Sequence, residues 1–122
     1  MKNVLVVDDS RIMRGIVKNS FLNLKIPAQF LEAANGAEAL HILSENPINL
    51  VLIDWNMPMV SGLDFLKKVR GMSEYKDLPI IMITSEAAKY NVIEALKAGV
   101  TGYLIKPLNE ENFKKTILGL KF

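Results

Sequence analysis

Leu50-Val51-Leu52-Ile53-Asp54-Trp55-Asn56-Met57-Pro58 runs four apolar residues straight into a carboxylate. So short a run, bounded by polar residues and a proline, reads as a strand buried on both faces. Asp54 then stands at the strand's carboxyl end, where open α/β sheets place their ligands. Whether it forms a turn or carries chemistry depends on what the other strand ends supply.

Upstream, Val4-Leu5-Val6-Val7 is a second short apolar run, and it ends at Asp8-Asp9-Ser10. Ile12, Ile16, Val17, Phe21 and Leu24 follow at helical spacing, with Arg11, Arg14 and Lys18 between them and Pro27 beyond as the stop. Gln29-Phe30-Leu31-Glu32-Ala33 reads as a more polar strand, suited to a sheet edge. Asn35 and Glu38 have capping spacing for a helix carrying Ala37, Leu40 and Leu43, which ends at Pro47.

Downstream, Ser61 and Asp64 repeat that spacing before Leu63, Leu66, Val69 and Met72. Pro79 introduces the buried strand Ile80-Ile81-Met82-Ile83, which closes at Thr84-Ser85-Glu86. The next helix is expected to turn Val92, Ile93 and Leu96 inward and to end at Gly99 in a left-handed position. Gly102-Tyr103-Leu104-Ile105 is the fifth strand, ending at Lys106-Pro107. Asn109 caps a last helix with Glu110 and Glu111 at its positive end and Phe113, Ile117 and Leu120 inward.

Five strands alternating with five helices imply right-handed crossovers and a parallel sheet covered on both faces. The predicted architecture is α/β: a flavodoxin-like (βα)5 three-layer sandwich with strand order 2-1-3-4-5. The 122 residues suggest a single domain, 1–122. With 50% hydrophobic residues, wholesale disorder is not expected. No apolar run approaches a membrane span, so no membrane insertion is expected. The absence of cysteine rules out disulfides and thiolate metal sites, and fits a cytoplasmic protein. A formal charge of +2 is too small to argue for direct nucleic-acid binding.

The strand ends now share one edge: Asp8 and Asp9 after the first strand, Asp54 after the third, Thr84 after the fourth and Lys106 after the fifth. Two carboxylates at ~4 Å repel by about 4 kcal/mol at an effective dielectric near 20, which a cation would offset. An oxygen-only donor set suits Mg²⁺ better than zinc. A magnesium ion, a lysine and a hydroxyl around one carboxylate are what phosphoryl transfer to an aspartate requires. Taken singly, each residue has a plainer reading: Asp9 or Ser10 as a helix cap, Thr84 as a cap, Lys106 as a solvated side chain. Their shared edge is what favours chemistry.

Val6-Val7-Asp8-Asp9-Ser10, Asp54 with Pro58 four residues on, Gly62, Thr84 and Lys106-Pro107 together resemble the receiver domain of two-component response regulators over essentially the whole chain. Asp8-Asp9-Ser10-Arg11, Asp54 to Pro58 and Thr84-Ser85-Glu86 are especially similar to its chemotaxis members. The resemblance implies that Asp54 accepts the phosphoryl group and that Thr84 and Lys106 bind its oxygens. Mg²⁺ would be held by Asp9, Asp54 and the Asn56 carbonyl, with Asp8 acting through water. Tyr103 would be the aromatic switch, Asn56 and Glu86 would tune dephosphorylation, and the Lys106-Pro107 bond would be cis. A histidine kinase would be the donor.

The output would be a downstream protein, the flagellar motor switch among the candidates, bound on the face of helix 4, strand 5 and helix 5. The molecule would be a monomer that is not a multiple-turnover enzyme. Met59-Val60-Ser61 departs from the acidic or amide residues common in chemotaxis members. A receiver excised from a longer transcriptional regulator is the alternative reading. A flavin carrier would want a hydroxyl- and glycine-rich loop where Asp8-Asp9 stands, and a dehalogenase-type phosphatase would want Asp-x-Asp there. His41, the single histidine, lies far from this edge and reads as structural or solvated.

Overall fold

The computed structural model describes residues 1–85 and 89–122, the side chains of 89–91 excepted. The elements run β1 (Lys2–Val7), α1 (Arg11–Leu22), β2 (Ala28–Ala33), α2 (Gly36–Glu45), β3 (Leu50–Asp54), α3 (Gly62–Arg70), a 3-10 turn (Ser73–Tyr75), β4 (Ile80–Thr84), α4 (Lys89–Lys97), β5 (Gly102–Ile105) and α5 (Glu110–Leu118). The strands form one parallel sheet of order β2-β1-β3-β4-β5, as predicted.

Period two explains the unbroken apolar runs. Val4, Val6, Leu50, Leu52, Ile81, Ile83 and Leu104 point to one face, where Val17 and Phe21 of α1 and Phe113 and Ile117 of α5 cover them. Leu5, Val7, Val51, Ile53, Ile80 and Met82 point to the other, against Ala39 and Leu43 of α2 and Phe65, Leu66 and Val69 of α3. All five residues of β3 and of β4 are buried. β2, with one neighbour only, keeps Gln29 and Glu32 exposed.

The helix starts follow their caps. Ser10, Asn35, Ser61 and Asn109 accept from the backbone N–H groups of Met13, Glu38, Asp64 and Asn112. Gly99 has φ of 92°, the left-handed conformation expected after α4. Lys106-Pro107 is cis. Among the described residues no helix is long and apolar enough to cross a membrane.

Several expected core positions face outward. Ile93 and Leu96 are 42% and 63% exposed, while Ala95 between them is fully buried. Ile12 and Ile16 on α1 are also exposed, as is Ala37 on α2. α1 stops at Leu22, well before Pro27, with Asn23 as its C-cap. Met72 lies beyond the end of α3, and Phe65, unassigned in the periodic reading, fills the core in its place.

Candidate functional site

Register brings the site together. Val7 pairs with Ile53, so the next residues, Asp8 and Asp54, leave adjacent strands side by side. Asp8 continues the parity of Val4 and Val6, Asp54 that of Leu50 and Leu52, and Lys106 that of Leu104. All three therefore emerge on the α1/α5 side of the sheet's carboxyl edge. Thr84 has the opposite parity, that of Met82, and Tyr103 packs against the same opposite core.

The carboxylates of Asp8, Asp9 and Asp54 each offer an oxygen within 4.8 Å of the others. Asp8 and Asp54 are buried and Asp9 is exposed. Lys106 reaches across the end of β4 so that its Nζ donates to Asp54 Oδ1 at 3.0 Å and Asp8 Oδ2 at 3.2 Å. The other Asp8 oxygen accepts from the Ser10 backbone N–H at 2.9 Å. Burial pushes the Asp54 carboxyl above its ordinary value; Lys106 opposes that rise, and the Asp8 and Asp9 charges add to it. Burial would lower the Lys106 ammonium, but the Asp54 and Asp8 carboxylates outweigh it and raise the group overall.

The donor set fits a hard divalent cation: carboxylate oxygens only, two of them held in place and one at the solvent edge. Buried Thr84 ends β4, and its carbonyl accepts from the Lys106 N–H at 2.7 Å, tying two site residues through the backbone. Asn56 lies in the loop after β3 with its side chain exposed. That loop is closed by the Gly62 N–H donating to the Trp55 carbonyl at 3.1 Å. A Cβ at Gly62 would strike the Asp54 carbonyl oxygen, which explains the glycine. Glu86 lies outside the described residues.

Arg14 was not singled out from sequence, yet it braces the site. Its Nη1 donates to the Asp8 carbonyl at 2.7 Å and its Nε to Glu32 Oε1 at 2.9 Å, while Lys18 takes the second Glu32 oxygen. The signal was there: two basic residues four apart on α1 and an acid on the neighbouring strand.

The sequence profile of the response regulator receiver domain matches residues 4–118. This chain belongs to that family. Curated relatives of this receiver domain include the chemotaxis protein CheY1 of Helicobacter pylori, 50% identical over 115 residues that make up 93% of this chain and 92% of the relative. A chemotaxis protein CheY homolog of Campylobacter jejuni is 45% identical over 93% of this chain and 88% of its own. Among solved structures, chemotaxis protein CheY4 of Vibrio cholerae superposes with a TM-score of 0.86 at 36% identity, covering 97% of both chains. The Mn²⁺-bound form of response regulator Rcp1 superposes at 0.82 with 25% identity, covering 98% of this receiver domain and 91% of its own chain. The receiver domain is thus of the CheY type, a signalling protein rather than a conventional enzyme, and its acidic cluster fits Mg²⁺ binding.

Proposed function

We propose that residues 1–122 act as one monomeric, cytoplasmic receiver module that takes a phosphoryl group onto Asp54 from a histidine kinase and thereby changes the binding of a partner. The observation that carries this reading is the Lys106 ammonium bridging Asp8 and Asp54 inside a three-carboxylate cluster at the sheet's carboxyl edge. In the transfer, an Asp54 oxygen bonds to phosphorus as the bond to the donor's imidazole nitrogen breaks and that nitrogen keeps the electron pair. Asp9, Asp54 and the Asn56 carbonyl would hold Mg²⁺, with Asp8 acting through water; that the related response regulator Rcp1 has a Mn²⁺-bound form supports a divalent ion here. Bound there, the ion neutralises charge on the phosphoryl oxygens. Lys106 orients one of those oxygens, and the Thr84 hydroxyl donates to another. Asn56, two residues beyond Asp54, and Glu86, two beyond Thr84 in sequence, set how readily water reaches the phosphoryl group.

Drawing Thr84 toward the site makes room on the face it shares with Tyr103, and the ring's two positions become a population shift. The surface that would report it is formed by α4, β5 and α5. It carries exposed Ile93, Leu96 and Ile105, apolar contacts suited to a protein partner. The chemotaxis names of the relatives make the flagellar motor switch the target we favour. The test is mass spectrometry after incubation with acetyl phosphate and Mg²⁺. One added phosphoryl group on the wild type and none on Asp54→Asn is expected. Labelling of Asp54→Asn at the wild-type rate would refute the assignment.

A further inference from the structure

The sheet's opposite edge carries a cleft of about 630 Å³ between the end of α2, the start of β3, the 3-10 turn and the start of β4. Its apolar surface comes from Leu43, Ile48, Tyr75, Leu78 and Phe122, and its rim carries the carboxylates of Glu45 and Glu74. Among the described residues, no lysine, arginine or histidine lines it. It also receives the negative end of α2. Like α1, that helix has no basic residue in its last turn, whereas α3, α4 and α5 do. In a chain of net charge +2, an aromatic-floored cleft with only acidic rim charges is a local reversal.

The walls are held in place. Asn3 donates from its backbone to Asn49 Oδ1 at 2.8 Å and from its side chain to the Pro47 carbonyl at 2.7 Å, and the Asn49 N–H returns to the Asn3 carbonyl at 2.9 Å. Opposite, Arg70 Nη1 donates to the Tyr75 carbonyl at 2.7 Å, and the Tyr75 hydroxyl reaches the Leu43 carbonyl at 3.4 Å. A site so pinned loses little freedom on binding.

We propose that this cleft docks an arginine-bearing peptide segment of a protein partner. A guanidinium offers planar donors to the rim carboxylates and stacks on aromatic faces, while its methylene stem suits the apolar floor. A lysine's compact, strongly hydrated ammonium uses the aromatic floor less well. The cleft lies at the end of the sheet away from Asp54, so this docking is independent of phosphoryl chemistry.

The test is an amide NMR titration of the full chain in saturating Mg²⁺ with acetyl-Leu-Arg-Leu-amide, and in parallel with the same peptide carrying citrulline, arginine's neutral isostere. Saturable shifts at Glu45, Asn46, Asn49, Glu74 and Tyr75 are expected, with citrulline binding about fivefold weaker, the scale of an exposed ion pair. The double variant Glu45→Gln, Glu74→Gln changes only exposed side chains and should lose about as much, with the amides around Asp54 unmoved. Absence of saturable shifts, equal binding of the citrulline peptide, or shifts centred on Asp8, Asp9 and Asp54 would overturn the proposal.

Discussion

Replacing Lys106 with methionine removes the ammonium that sits 3.0 Å from Asp54 and 3.2 Å from Asp8. At an effective dielectric of 20 each contact has a gross attraction of about 5 kcal/mol. Desolvation of a side chain only 22% exposed offsets much of that. Charge-assisted hydrogen bonds typically leave about 1.5–3 kcal/mol net, so we expect Lys106→Met to cost about 2 kcal/mol at pH 7 without metal. The pH dependence has a definite sign. Asp54 titrates above its ordinary 3.8 in the fold, so its charge costs stability as pH rises from 3.8 through its folded value. Lys106 restrains that rise; without it the window widens upward and the cost above it grows. Lys106 itself is raised above 10.5, so its contribution is present below 10.5 and fades as pH rises through its folded value. The variant's deficit should therefore be largest near neutrality and narrow toward pH 4, as Asp54 takes up its proton. Urea titrations in chelator at pH 4 and 7 measure it. Added Mg²⁺ should narrow it too, because a cation then replaces the lost charge. An equal deficit at both pH values, or a more stable variant at pH 7, would refute the reasoning.

Three other outcomes are expected. Trp55 follows Asp54 directly, so Mg²⁺ should change its emission, and Asp9→Ala should weaken the titration at least about tenfold, the scale of one lost charged ligand; identical curves would remove Asp9 from the ligand set. Gly62→Ala places a methyl on the Asp54 carbonyl oxygen and 2.9 Å from Met82 Sδ, and should cost about 2–4 kcal/mol in thermal melts. Glu32 is lowered below 4.5 by the Lys18 and Arg14 hydrogen bonds, so its contribution is present above 4.5 and lost as pH falls through its folded value. At 37% exposure the loss in Glu32→Gln should be only about 0.5 kcal/mol at pH 7, vanishing in acid.

Most of the site was legible because it depends on strand ends and on period two. Once four apolar runs end at Asp8, Asp54, Thr84 and Lys106, a parallel sheet must put them on one edge, whatever the helix details. What did not read through depends on lateral packing. Ile93 and Leu96 have helical spacing, but a period cannot distinguish a face that meets the core from one left open; small Ala95 took the buried place, and the large residues stayed outside. For Arg14 the acid Glu32 was in view, but its second acceptor, the Asp8 carbonyl, was not, because the offset of a strand-end carbonyl from α1 is set only in three dimensions. Met59, with φ of 67°, is a non-glycine residue in a left-handed conformation that no turn signal announced.

The strand-end backbone constrains how a change at Asp54 could reach Tyr103. The Trp55 N–H donates to the Ile83 carbonyl at 3.0 Å, and the Lys106 N–H donates to the Thr84 carbonyl at 2.7 Å. The main chain of β4 is therefore held from both neighbours at its last two residues. Shifting it would break ladder bonds at a buried edge, each left unsatisfied at about 1–3 kcal/mol. A rotamer change at Thr84 leaves those ladder bonds in place. Thr84 and Tyr103 also share a sheet face opposite to that of Asp54 and Lys106, so a signal from Asp54 to Tyr103 would have to cross the end of the sheet. A side chain at the very terminus of β4 is placed to make that crossing. The route we favour is thus side-chain rotation passed from Thr84 to the aromatic ring, with the sheet itself unmoved.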